Sequence, residues 1–252
     1  PSGEPYILAI LWRHHEGSTC YEVRSAGATR RLYTNGAFHS QYNPRHLFTG
    51  GIWDLLVVPA LFLPLKRSEI LILGVGGGAA IHLFNQLLEQ PTITGIEYDE
   101  IHLKVAREFF GCDAKTAELI HADAYQWIEK SRHKYTVLLD DLFVDGPDDP
   151  VRPKAITRQW MEQLSCRLTA DGVLIQNHLS AATARNVARD PTTRKIFRHA
   201  LLFHHPRYTN GILAMYQRPV DIRHAREALK KTIDEKHPGA LKRLSYRVET
   251  LY

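Results

Sequence analysis

The first forty residues of the chain contain four short segments with the pattern of β-strands. Before the last of them, Asn35-Gly36 favours a tight hairpin turn because both residues tolerate positive φ. The strands are predicted at Tyr6–Trp12, Thr19–Arg24, Arg30–Tyr33 and Ala37–Gln41. We therefore expect a small antiparallel β-hairpin unit over residues 1–45.

From residue 46 onwards, short apolar runs alternate with helical patterns, which is typical of βαβ units and a parallel sheet. Five such strands are predicted at Ile70–Leu73, Ile93–Glu97, Leu119–His121, Thr136–Asp140 and Gly172–Asn177. Helices are predicted at Ala79–Leu88, Glu100–Phe110, Ala124–Lys130, Ile156–Leu168, Ala181–Arg189 and Thr192–His199. A closing antiparallel pair follows at Ala200–His204 and Gly211–Tyr216. The pattern predicts an α/β class: a Rossmann-like, seven-stranded domain over residues 46–220 and a mostly helical tail over 221–252.

Composition narrows the class of protein. The net charge is +5, but Lys and Arg are scattered rather than gathered in one tract, which argues against a nucleic-acid partner. Three widely spaced cysteines fit a reducing, cytoplasmic setting. The most apolar run, Ile52–Leu65, is interrupted by Asp54 and two prolines and is shorter than the ~20 residues of a membrane span. We expect it to be a buried helix, and we expect no membrane association.

A glycine-rich turn directly follows the first strand of the predicted parallel sheet. Gly74, Gly76, Gly77 and Gly78 stand where a chain that turns into a helix must adopt positive φ, and where a ligand must approach the backbone without meeting a Cβ. Such a turn also occurs as a plain strand-to-helix connection. The residues that follow the next strands favour a nucleoside site.

Two carboxylates follow the second and third strands at the edge where the glycine turn lies. Glu97, about 20 residues beyond the glycines, is placed to accept hydrogen bonds from the ribose hydroxyls. Asp123 is placed to accept from the adenine amino group. The alternative is that acids at these strand ends cap the following helices, as Asp99 and Asp123 both could. The order and spacing of the glycines and acids predict a bound adenosyl group.

The residues at the ends of the fourth and fifth predicted strands are candidates for binding the substrate that accepts the transferred group. Asp141 follows the fourth strand at the edge of the sheet where the glycine turn lies, and a carboxylate there can orient or deprotonate a nucleophile. The acidic loop that follows contains Asp145, and its length suggests either a cover over a substrate or a plain connection. His178, after Asn177 at the end of the fifth strand, is a candidate substrate contact.

No metal site is expected, although the chain has fourteen histidines. His14-His15 and His204-His205 are adjacent pairs on strands, so their side chains point to opposite faces. A structural role for these histidines is the simpler interpretation.

Residues 70–211 resemble the spermidine synthase-like branch of the S-adenosylmethionine-dependent methyltransferase superfamily. The resemblance rests on the glycine loop, the run Glu97-Tyr98-Asp99-Glu100, Asp123, Asp141, Asp171-Gly172-Val173-Leu174 and the turn Pro206-Arg207-Tyr208-Thr209-Asn210-Gly211. It implies that S-adenosylmethionine, or its decarboxylated form, is the cofactor. It also implies that His39 replaces a glutamine that contacts the nucleoside, and that Tyr208 corresponds to a tyrosine on the substrate side.

Departures from the aminopropyltransferases of this branch direct the functional prediction. Gly77 stands where those enzymes have an acid that holds the aminopropyl amine, and Phe48-Thr49-Gly50-Gly51 lacks the tyrosine and glutamate of their gatekeeping segment. A polycation needs several carboxylates to replace its hydration, and Asp141 and Asp145 are those that remain. Methyl transfer to a small-molecule acceptor is therefore the favoured function.

Two alternatives remain open. One is a polyamine aminopropyltransferase that uses decarboxylated S-adenosylmethionine, and the other is a non-catalytic adenosyl-binding domain. The edge of the N-terminal strands also suits a homodimer.

Overall fold

A computed structural model describes residues 9–64, 68–144, 146 and 150–252. The N-terminal part is a four-stranded antiparallel sheet in the order β1-β2-β3-β4. Its strands are β1 (Ala9–Glu16), β2 (Thr19–Ala26), β3 (Thr29–Thr34) and β4 (Ala37–Tyr42). The turn between β3 and β4 has φ of 49° at Asn35 and 83° at Gly36, as the sequence predicts. Residues 6–8 of the first predicted strand lie outside the described residues.

The second sheet has eight strands in the order β12-β10-β11-β9-β8-β5-β6-β7. Its parallel part consists of β5 (Glu69–Leu73), β6 (Thr92–Glu97), β7 (Glu118–His121), β8 (Tyr135–Asp140) and β9 (Leu168–His178). Its antiparallel part consists of β10 (His199–His204), β11 (Gly211–Tyr216) and β12 (Arg247–Thr250). The predicted α/β, Rossmann-like class is confirmed.

Seven α-helices lie among the described residues: α1 (Ala79–Leu87), α2 (Glu100–Glu108), α3 (Ala124–Lys130), α4 (Arg158–Cys166), α5 (Ala181–Arg189), α6 (Pro191–Ile196) and α7 (Ile222–Lys236). Side chains of a strand alternate between its two faces. In β5, Ile70 and Ile72 pack into one apolar core, and Leu71 and Leu73 pack into the other. The centre of the sheet is thus buried on both faces, which explains why residues 70–73 of β5 form a continuous apolar run.

Two segments differ from their predictions. Ile52–Leu65 does not form one helix: it contains two short 3₁₀ helices, Ile52–Leu56 and Val58–Phe62. Pro59 has no backbone N–H to continue the first helix, so it lies in the first turn of the second. The helical tail continues into β12, whose Val248 pairs with Phe203 of β10 and adds an eighth strand to the sheet.

Within the described residues, no helix combines the length and apolarity that crossing a bilayer requires. Strand β1 is the free edge of the four-stranded sheet, and its Ile10 and Leu11 are exposed. A homodimer through this edge stays a prediction.

Candidate active site

A cavity of ≈ 960 Å³ lies at the carboxyl end of the parallel strands, beneath the β3–β4 hairpin. Its volume is at the upper end of the ~300–1,000 Å³ typical of small-molecule sites. The strand ends of an α/β sheet are where such folds bind ligands, because the connecting loops diverge there. Predicted site residues that line the cavity are Gly74, Gly76, Glu97, Asp123, Asp141, His39 and Tyr208.

Gly74 allows the end of β5 and the end of β8 to approach each other closely. Its φ is 87°, and a Cβ at this position would overlap the backbone carbonyl of Asp141. The amide of Asp141 in turn donates to the carbonyl of Leu73 over 2.9 Å. A glycine is therefore required here to hold Asp141 beside the loop.

Glu97 is 8% exposed, and its carboxylate holds the glycine loop in shape. Its Oε2 accepts hydrogen bonds from the amides of Val75 (2.8 Å) and Gly76 (2.9 Å). Its Oε1 accepts from the amide of Asp99 at 3.0 Å. The predicted ribose-binding acid thus also organises the turn that would contact a ligand.

Asp123 has the capping role that was the alternative interpretation of this residue. Its Oδ1 accepts from the amides of Tyr125 (2.7 Å) and Gln126 (3.2 Å) at the start of α3. It lines the cavity as well, so capping does not remove it from the site. Contact with adenine stays a prediction.

Asp141 is the acid that lines the cavity after β8. Its Oδ1 accepts a hydrogen bond from Asn177 Nδ2 (2.9 Å), and Asn177 Oδ1 accepts from Asn210 Nδ2 (3.0 Å). Burial raises the pKa of Asp141 to about 6, with the hydrogen bond from Asn177 opposing it and the charge of Asp140 adding to it. A carboxylate with such a pKa is suited to gain and lose a proton near neutral pH.

His178, which the sequence predicted as a substrate contact, does not line the cavity. It is 1% exposed, whereas its neighbours Asn177 and Leu179 line the cavity. Successive side chains on a strand point to opposite faces, so the residue after Asn177 turns away. Burial, with the nearby charge of Arg152, lowers the pKa of His178 to about 4 and keeps the ring neutral.

Gly77 and Gly78 do not line the cavity either, although both were predicted to contact the cofactor. A Cβ at Gly77 would lie 2.8 Å from the Phe110 ring and 2.9 Å from Ser40 Cβ, so packing requires a glycine here. Gly78 has φ of 83° and precedes α1, and a Cβ there would overlap Cys112 Sγ.

Sequence reasoning missed His102, which lines the cavity from α2. Its Nε2 is 2.8 Å from Thr34 Oγ1 of β3, and its ring is 5.2 Å from that of His39. The signal was present, since His102 falls on the buried face of an amphipathic helix next to Leu103. Asp145 lies outside the described residues, and among the residues that are described no three His, Cys, Asp or Glu side chains cluster to hold a metal.

No protein-family model matches the chain. It is 25% identical over 166 residues to a polyamine aminopropyltransferase of Prochlorococcus marinus, a match that covers 59% of this chain and 58% of that protein. It is 30% identical over 133 residues to polyamine aminopropyltransferase 1 of Streptomyces coelicolor, which covers 49% of this chain and 24% of the relative. The chain therefore matches about a quarter to three fifths of the length of these two relatives.

Among solved structures, the chain superimposes on a probable spermidine synthase from Corynebacterium glutamicum with a TM-score of 0.76 at 17% identity, covering 96% of this chain and 91% of that one. It superimposes on the spermidine synthase of Thermotoga maritima with a TM-score of 0.65 at 13% identity, covering 90% and 77%. This chain has the spermidine synthase-like fold. The resemblance predicted from the sequence is confirmed.

A human structure, methyltransferase-like protein 13 in complex with SAH, shares the spermidine synthase-like fold less completely. Its TM-score is 0.59 at 21% identity, covering 72% of this chain and 89% of that one. The prediction that methyl transfer is the favoured function is wrong. The two curated relatives above are named polyamine aminopropyltransferases, and the two bacterial structures above are named a probable spermidine synthase and a spermidine synthase, which supports the alternative. The missing acid at Gly77, which favoured methyl transfer, reflects packing against Phe110.

Proposed function

We propose that the chain is an aminopropyltransferase that moves the aminopropyl group of decarboxylated S-adenosylmethionine onto an amine of a small polyamine. The observation that carries the proposal is the arrangement of the cavity. Its lining includes the glycine loop, Glu97 and Asp123 for the nucleoside, and Asp141 for the amine. The curated relatives that carry this activity in their names support the same assignment.

The residues of the cavity fit an adenosyl donor. A Cβ built on Gly76 would have no atom closer than 3.5 Å, so the backbone of the loop is accessible from the cavity. Glu97 and Asp123 supply acceptors for the hydrogens of ribose hydroxyls and of the adenine amino group. Ile96 and Ala124 give the same wall apolar surface against which a base can pack.

The transfer is a displacement at carbon. The amine nitrogen forms a bond to the aminopropyl carbon next to the sulfonium sulfur, the carbon–sulfur bond breaks, and its electron pair leaves with methylthioadenosine. The amine must attack as the free base, so its proton needs a receiving group. Asp141, with a pKa of about 6, is mostly ionised above that pH and receives the proton.

The sequence of the loop after β8 is acidic. In the sequence it carries Asp145, Asp148 and Asp149, which lie outside the described residues. The described residues on both sides of this stretch, Val144 and Pro150, line the cavity. A loop of this composition suits an acceptor with more than one ammonium group, since each buried cation needs a carboxylate partner.

The test is a product assay with the purified chain. Decarboxylated S-adenosylmethionine is incubated with putrescine or spermidine, and methylthioadenosine and the aminopropylated amine are measured by mass spectrometry. We expect both products in equal amounts, and no methylated amine when S-adenosylmethionine replaces the donor. Binding of methylthioadenosine without turnover of any amine would overturn the proposed activity.

A further inference from the structure

Asp140, the residue before Asp141, is the centre of a buried polar cluster that the chemistry above does not use. It is 0% exposed. Its carboxylate accepts hydrogen bonds from Arg152 Nη2 at 2.8 and 2.9 Å, from Trp160 Nε1 at 3.1 Å and from Gln176 Nε2 at 2.8 Å. A carboxylate so deeply buried needs hydrogen-bond donors to replace its lost hydration.

Arg152 belongs to the connection between β8 and α4 and not to the sheet. Its side chain is 13% exposed, and its ion pair with Asp140 is the contact by which it is tied to the end of β8. Two residues away, Pro150 and Lys154 line the cavity. The segment Pro150–Lys154, which we term the return arm, is thus anchored in its middle.

A second tie fixes the start of the return arm. Val144 and Val151 exchange two backbone hydrogen bonds of 2.9 Å each. Together with the Arg152–Asp140 pair, this bridge connects the segment that leaves β8 to the one that returns. One end of each tie, Asp140 or Val144, lies within three residues of Asp141 in the chain.

We propose that Arg152 is a positioning residue: its ion pair with Asp140 holds the return arm against the end of β8 and so fixes the placement of Asp141 and of the cavity wall around it. The inference rests on the proposed function for its kinetic readout alone. Its structural readout is independent of any activity.

The pKa of Asp141 depends on both partners of the Arg152–Asp140 ion pair. The negative charges of Asp140 on β8 and Glu97 on β6 raise the pKa of Asp141, whereas the positive charge of Arg152 lowers it. Asn177, on β9, contributes an uncharged hydrogen bond that also lowers it. Removing Arg152 or neutralising Asp140 should therefore shift the titration of Asp141 in opposite directions.

The kinetic experiment compares Arg152→Met and Asp140→Asn with wild type in the aminopropyl transfer assay. We expect kcat to fall about tenfold or more in both variants, because a base such as Asp141 that is displaced from the reacting amine slows the transfer. The acidic limb of the pH–rate profile should move to higher pH in Arg152→Met and to lower pH in Asp140→Asn. Arg152→Lys, which keeps the charge, should leave the limb where it is in wild type.

Hydrogen exchange supplies the readout that needs no turnover. The amides of Val144 and Val151 should exchange about tenfold faster or more in Arg152→Met than in wild type. The matched control is Arg158→Met on α4, which removes an exposed ion pair with Glu162 and should change neither measurement. Unchanged exchange at both valines, or limbs that move in the same direction, would overturn the inference. If wild type proves inactive, the proposed function fails and the exchange rates alone decide the role of Arg152.

Discussion

Replacing Asp141 with asparagine should make the protein more stable at neutral pH while it removes the candidate base. The substitution keeps the shape of the side chain and an oxygen that can accept the hydrogen bond from Asn177. It also removes a buried negative charge that destabilises the folded protein. Burial raises the pKa of this carboxyl from 3.8 to about 6, so ionising it lowers the free energy of unfolding. Gain in stability and loss of activity are therefore expected together.

The magnitude follows from the linkage between pKa and folding. The difference between 3.8 and about 6 corresponds to an upper value of roughly 3 kcal/mol. Since the pKa in the folded state is raised, the associated stability is fully present below 3.8, is lost as the pH rises, and is gone above about 6. At about pH 8 the variant should be up to ~3 kcal/mol more stable than wild type, and near pH 4 the two should be nearly equal.

The assay is urea unfolding of wild type and Asp141→Asn at these two pH values. Other groups also titrate in this range: burial raises the pKa of Asp54 to about 6 as well. The difference between variant and wild type cancels their contribution. Asp171→Asn, which removes an exposed acid paired with Arg218, is the control and should change little at either pH. Equal stability of wild type and Asp141→Asn at the higher pH would refute the reasoning.

Three other substitutions test separate parts of the site. Glu97→Ala should weaken methylthioadenosine binding about 10- to 100-fold in calorimetry, since two loop amides lose their carboxylate acceptor. Unchanged affinity would show that Glu97 has no part in the nucleoside site. Gly74→Ala should lower the free energy of unfolding by more than ~1 kcal/mol beyond the loss in Gly17→Ala. Both glycines have positive φ, but a Cβ at Gly17 has open space around it. Equal losses in the two variants would mean that Asp141 does not restrict the residue at position 74. His178→Leu should leave the KM for the amine within about threefold of wild type, because the ring is buried and neither nitrogen has a hydrogen-bond partner among the described residues. A larger rise in KM would show that His178 contacts the amine.

The sequence by itself determined the strand and helix order and the edge of the sheet where the site lies. Strands that are apolar on both faces and are joined by amphipathic helices leave few arrangements other than a parallel sheet. In such a sheet, residues that follow successive strands converge at one edge. Gly74, Glu97, Asp123 and Asp141 were therefore placed together from spacing alone, and all four line the cavity.

The tertiary structure decided to which face of the sheet each side chain points and which residues surround it. Asp140 and Asp141 are identical in type and adjacent, yet one is buried against Arg152 and the other lines the cavity, because alternate side chains of a strand point to opposite faces. The same alternation places His178 outside the lining of the cavity. Gly77 had to be a glycine because of Phe110, a residue 33 positions away that only the folded chain brings into contact. Local pattern determines where the strands end, but packing between distant segments determines which of the residues at those ends can meet a ligand.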